Sequence, residues 1–348
     1  MRRFGDAILG ALSRGAAVAV ILMLAALVGI LLVRALPSVR TFGGKFLVST
    51  EWRANELERP VRDADGKIVY EDGEPKTETI PPAFGAAPVI YGTAVTSIIA
   101  LVFAVPLSLG AALFIVRVAP RLRIVAPISF LIELLASIPS VAYGIWGLFV
   151  LAPFLRDHVE PALSRVFMSV PGLHWLASET IKQADGSIVR KALPVTGRDL
   201  LCGGLILGIM ILPIITAVSR DVLRTVPRGQ IEGTLALGAT WWQSCVAMLR
   251  YSRSGLFGAV MLGLARAAGE TMAVAMVIGN NNQIVPSPFA PAQTMSSLLA
   301  NEFAEASRGL HTAALLEVAL ILLVMSLLFN VVAKWLVVGK HARTAAAA

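Results

Sequence analysis

An arginine and a glutamate four residues apart, Arg266 and Glu270, stand in one of the most apolar stretches of the chain, LGLARAAGETMAVAMVIGN. An arginine at the centre of a membrane-length helix costs about 2.5–3.5 kcal/mol on insertion scales, and such residues mark ion pairs or solute pathways. On one continuous helix the two side chains would share a face and could pair. The guanidinium also presents a planar fork of donors that matches the oxygens of carboxylates and phosphates, which a lysine does not. Two readings follow. Either the residues form a structural ion pair, or Arg266 transiently meets an oxyanion while Glu270 holds it at other times and keeps binding weak enough for release.

Two more carboxylates fall in apolar runs, Glu133 and Glu317. Each could pair with Arg266 or with a charge on a partner chain, or stay protonated in a site of low dielectric. A different chemistry is suggested by Glu232 and Gly238, six residues apart in the polar stretch before Arg266. A short helix should start at Gln230 or Glu232, beyond Pro227 and Gly229, and break around Gly238. Gly238 would give a bend without a side chain, and Glu232 would sit near a helix N-terminus, where the dipole favours negative charge. Trp241 and Trp242 then fall where an aromatic interfacial anchor is expected.

Other chemistries find no residues to run them. The Gly-Lys pairs at 44–45, 66–67 and 339–340 lack both the glycine-rich loop and the Ser/Thr of a nucleotide phosphate cradle. The four histidines (His158, His174, His311, His341) are scattered, and the two cysteines, Cys202 and Cys245, fall near opposite membrane faces. Neither a metal site, a resident cofactor, a disulfide nor a catalytic constellation is expected. The chain reads as a non-catalytic component.

The elements that must position these residues are membrane helices. Of 348 residues, 56% are apolar and 15% charged. Six runs, near 15–36, 89–117, 124–152, 199–219, 257–279 and 311–337, are long enough to cross a hydrocarbon core of roughly 30 Å. With the N-terminus inside, the cytoplasmic stretches hold 14 Lys+Arg against 3 Asp+Glu, and the outer stretches 14 against 16. That asymmetry follows the positive-inside rule, so the net charge of +8 needs no nucleic acid to explain it. Both termini are then cytoplasmic. The expected organisation is 1–36 for the N-terminus and first helix, an outer loop at 37–88, a core at 89–337 and a tail at 338–348. The core carries an outer insertion at 154–198 and a cytoplasmic loop at 220–256. The outer segments contain DADGKIVYE and QADGSIVRK, which have the turn chemistry of hairpins.

Several of these segments resemble a known family. The Glu232–Gly238 spacing in a cytoplasmic loop between two late spans is similar to the EAA loop of ABC importer permeases, with Gly233 and Thr234 where that family usually has alanines and Tyr251 where it often has proline. GTAVTSIIALVFAVPLSLG, ELLASIPSVAYGIWGLFVLAP, LGLARAAGETMAVAMVIGN and LLANEFAEA, in that order, resemble the PstC-type permease subunit of the bacterial phosphate ABC importer. The resemblance implies the type I importer permease fold in the bacterial inner membrane. It implies Arg266 and Glu270 in the phosphate pathway, with Glu133 and Glu317 as further pathway candidates. Glu232, Gly233, Thr234 and Gly238 would contact an ATPase. The implied partners are a second permease subunit, two copies of the ATPase, an extracytoplasmic phosphate-binding protein and the lipid bilayer. A permease for sulfate or molybdate is the nearest alternative. An ion-coupled secondary transporter would need inverted internal repeats, and none is visible.

Overall fold

A computed structural model describes residues 2–61, 68–71, 74–75, 77–118, 125–182, 188–306 and 309–345. Helices α1 (Arg2–Phe42) and α2 (Lys45–Val48) precede four short strands, β1 (Leu57–Pro60), β2 (Tyr70–Glu71), β3 (Glu74–Pro75) and β4 (Thr77–Ile80). Helix α3 (Ala87–Leu113) ends in a π-helical turn over Phe114–Val118. Next come α4 (Val125–Ser137), α5 (Ser140–Trp146), α6 (Ala152–Phe154) and α7 (Glu160–Ser169), then strands β5 (Ser178–Lys182) and β6 (Ile188–Ala192). The rest is helical: α8 (Leu200–Arg224), α9 (Arg228–Ala236), α10 (Trp241–Tyr251), α11 (Arg253–Ala268), α12 (Met272–Val277), α13 (Met295–Glu302) and α14 (Leu310–Ala345).

Four of the six expected spans are single helices long and apolar enough to cross a membrane, within α1, α3, α8 and α14. The other two are broken. The run at 124–152 bends by 93° between α4 and the helices from Ser140 onward. Pro139 explains it: proline cannot donate to the ladder and pushes Ile138 out of helical geometry. The run at 257–279 is not continuous either, since α11 stops at Ala268 and α12 starts at Met272. Helix α1 extends past the expected end at 36 and carries Pro37 inside it. Membrane helices tolerate such prolines when other groups take up the freed backbone atoms, and here Thr41 Oγ1 donates to the Pro37 carbonyl at 2.8 Å.

The chain divides into two units, 1–86 with 302–321, and 87–301 with 322–348. In the larger unit α8 is the central helix, with Leu207, Ile211 and Ile215 fully or almost fully buried against Ala100, Ala104, Ala259, Val274 and Ile278. Gly204 and Gly208 let it approach α3 closely, because a Cβ at either would strike Ile99 or Phe103. Small residues at such contacts are how membrane helices gain packing without a hydrophobic driving force. Thr93 acts as interhelical glue, donating to Val89 O at 2.7 Å and accepting from the Met295 amide at 3.0 Å.

In the smaller unit β1 pairs with β4 and β2 with β3, both antiparallel. A ring cluster joins this segment to the start of α14: Phe84 stacks on His311 at 5.4 Å and meets Trp52 edge-on at 5.0 Å. Glu302 accepts from Trp52 Nε1 at 2.7 Å and lies 3.0 Å from His311 Nε2. In the larger unit β5 and β6 form a second antiparallel hairpin. The expected hairpin around QADGSIVRK is β5–β6, with its tip outside the described residues, whereas the turn of the one expected around DADGKIVYE lies outside them.

Candidate functional site

The break between α11 and α12 makes the site. Gly269 caps α11, and the Glu270 amide still donates to Ala267 O at 3.2 Å before helical geometry is lost. Thr271 Oγ1 donates to Gly269 O at 3.2 Å, and Ser296 Oγ at the start of α13 donates to Glu270 O at 2.6 Å. These contacts occupy polar groups that the interrupted ladder leaves open. Beside the break an open groove of about 520 Å³ is lined by Ile214 of α8, by Leu262, Ala265 and Arg266 of α11, and by Gly269 and Glu270.

Arg266 and Glu270 thus meet in one groove, but not as the ion pair expected for a continuous helix. No hydrogen bond or ion pair joins them among the described residues, and Glu270 falls in the break between α11 and α12. Arg266 is exposed on this chain and Glu270 half-buried. Arg266 also acts electrostatically on the hydroxyl of Tyr143 in α5, which donates to Leu135 O across the α4–α5 bend at 2.8 Å.

The other two carboxylates have partners of their own. Glu133 lies 3.5 Å from Arg220 near the end of α8, and Arg220 also meets Asp221 at 3.1 Å. Glu133 does not line the groove that holds Arg266. Glu317 belongs to the smaller unit, where its buried side chain faces Ser38 of α1.

The expected helix–turn–helix is present. Helix α9 begins at Arg228, immediately after Pro227, earlier than Gln230 or Glu232. Glu232 is therefore in the second turn of α9 rather than at its N-terminus, because Pro227 sets the start. Gly238 ends the hairpin's first arm with φ +83°, its amide donating to Leu235 O at 2.9 Å. Thr240 and Gln243 then cap α10 reciprocally. Glu232, Gly233 and Gly238 are exposed, Thr234 is half-buried, and Leu237 at the turn is 90% exposed. Trp241 and Trp242 are also exposed.

A buried carboxyl pair escaped the sequence. Asp199, the N-cap of α8 just outside that spanning helix, accepts from the Cys202 amide at 2.9 Å, and the Gly197 amide donates to Glu160 at 3.3 Å. Both carboxyls are fully buried. Burial, and then the neighbouring Glu160 charge, push the Asp199 carboxyl up to about 8. An acidic residue directly before the apolar run at Leu200 is a legible cap signal; nothing in the sequence around Glu160 marks it as the partner. Cys202 and Cys245 are free and buried.

The chain is similar to known proteins. Residues 104–339 match the family described as binding-protein-dependent transport system inner membrane component. The chain is 41% identical to the phosphate transport system permease protein PstC of Mesorhizobium japonicum, over 99% of its own length and 94% of that protein's. It is 38% identical to the protein of the same name in Haemophilus influenzae, with 92% and 89% covered. Among solved structures, an inward-facing MetNI methionine ABC transporter chain superimposes with a TM-score of 0.50 over 72% of this chain and 94% of that one. At 16% identity this is a likeness of fold.

Proposed function

This chain belongs to the family of binding-protein-dependent transport system inner membrane components, and on that premise we infer that it is the PstC-type permease subunit of an ATP-driven phosphate importer. It is a multi-pass membrane protein and a non-catalytic subunit. Arg266 and Glu270 stand in the translocation pathway. The observation that carries this reading is the open groove at the α11–α12 break, which presents an exposed guanidinium from a membrane-length apolar segment. Left against lipid, that charge would cost about 2.5–3.5 kcal/mol. A second permease subunit covering this face would close the pathway around Arg266.

The fork of Arg266 binds phosphate oxygens, and the nearby Glu270 competes for the guanidinium as phosphate leaves. The bias of basic residues supports both termini and the α9–α10 hairpin being cytoplasmic. There Glu232, Gly233, Thr234 and Gly238, with the protruding Leu237, meet one of two ATPase subunits. An extracytoplasmic phosphate-binding protein delivers the anion to the other side. Glu133 pairs with Arg220, and Glu317 is buried in the smaller unit apart from the groove, so both are assigned supporting positions rather than contact with phosphate.

The test is ATP-dependent uptake of labelled phosphate into vesicles containing the ATPase, the second permease and the binding protein, with and without this chain. Uptake that needs this chain and ignores excess sulfate is expected. Competition by sulfate would keep the importer and change its substrate, since a guanidinium fork alone does not discriminate tetrahedral oxyanions. Glu270→Gln should impair uptake while the complex still assembles. Normal uptake by that variant would remove Glu270 from the pathway.

A further inference from the structure

The cytoplasmic ends of the membrane helices and the α9–α10 hairpin share one small core. Ala112 and Leu113 of α3, Leu223 at the end of α8, Cys245 and Met248 of α10, and Leu256 of α11 are buried together. Apolar contacts of this kind are non-directional, so they hold the hairpin against the spans without fixing how movement of one is passed to another. One contact is directional. Arg117 Nη2, in the π-helical turn that ends α3, donates to Ser244 Oγ of α10 at 2.8 Å. Ser244 is fully buried and donates in turn to Trp241 O at 2.8 Å, in the first turn of α10. Among the described residues this is the one side-chain hydrogen bond from α9 or α10 to any other helix.

Two details set it apart from a routine surface contact. The π-helical turn over Phe114–Val118 inserts a residue into the helical ladder, a distortion that commonly marks functional positions, and here it carries Arg117. The Arg117 Nε is also buried without a hydrogen-bond partner. A buried donor without a partner weakens the fold, so the arrangement is not one chosen for stability alone. A guanidinium bonded through Nη2 with its buried Nε–H unpartnered is poised to exchange partners when α10 shifts against α3.

Resting on the importer reading above, we propose that Arg117 and Ser244 form the latch through which displacement of the α9–α10 hairpin is passed to α3, and so set how much transport each ATP hydrolysis drives. Arg117 is a positioning residue in this scheme; it touches neither phosphate nor nucleotide.

The experiment measures phosphate uptake and ATP hydrolysis in parallel on the full complex in proteoliposomes, for the native chain, Arg117→Met, Arg117→Lys, Ser244→Ala and the double variant Arg117→Met/Ser244→Ala. Hydrolysis should stay within about twofold of native while uptake per ATP falls about tenfold, the scale of one charge-assisted hydrogen bond. Arg117→Lys should restore most of the ratio, and the double variant should be no worse than either single one. Ser244→Ala, which removes one oxygen, guards against Arg117→Met failing to assemble. An unchanged ratio, or uptake and hydrolysis falling together, would overturn the latch. A native complex with no ATP-driven uptake would overturn the importer reading instead.

Discussion

Arg266 separates a charge requirement from a geometric one. Its groove is open and Glu270 does not occupy its donors, so the guanidinium fork is free to take two oxygens at once. Arg266→Lys keeps the charge and loses the fork, and phosphate uptake should fall about tenfold with assembly intact. Native rates in the lysine variant would mean that the site needs only a positive potential. Asp199 supports a prediction of a different kind. Its carboxyl is raised from the usual 3.8 to about 8 in the folded chain. A raised carboxyl contributes its full stability below the ordinary value and loses it as pH rises through the folded one. Melting temperature should therefore decline between about pH 4 and pH 8 through this group. Asp199→Asn keeps an N-cap oxygen and cannot ionise, so its profile should be flatter and its melting temperature at pH 8 at least native. Parallel profiles for the two proteins would refute the assignment.

At the scale of elements, two glycines of the α9–α10 hairpin should respond in opposite directions. Gly238 has φ +83°, where a side chain costs about 1–2 kcal/mol, so Gly238→Ala should lower the melting temperature and misdirect α10. Gly233 sits inside α9 with open space around it, and Gly233→Ala should stabilise that helix by about 0.5–1 kcal/mol without loss of uptake. Thermal unfolding of both variants, beside uptake, decides between a strained turn and a loose linker. This hairpin was legible in the sequence because Pro227 and Gly238 punctuate it. The four unbroken spans were legible because hydropathy and length suffice for them. The two broken spans were not. Hydropathy counts apolar residues and is blind to whether Pro139 or Gly269 continues a helix, and each residue is tolerated in other membrane helices. The pairing inferred for Arg266 and Glu270 rested on continuity across Gly269, and with the helix interrupted there no ion pair joins them among the described residues. Glu133–Arg220 and Glu160–Asp199 join segments distant in sequence, and only packing reveals such partners.

For the molecule as a whole, exposed Arg266 is a charge that lipid cannot satisfy and a partner chain would cover. A partner that binds the folded chain and not the unfolded one stabilises it by mass action. The chain produced alone should melt lower in detergent than when produced with the second permease, and the gap should grow with partner concentration. Equal melting temperatures would mean that the face is complete without it. The interruption at Gly269 has one more consequence. Along α11, Arg266 is about 20 Å from Arg253 at the helix start. An exposed guanidinium at membrane depth draws water, because its donors require partners that lipid cannot supply. On the pathway proposed above, the insulating thickness of the bilayer would be locally thin at this point, and a hydrated anion would shed its water over a distance much shorter than the full membrane.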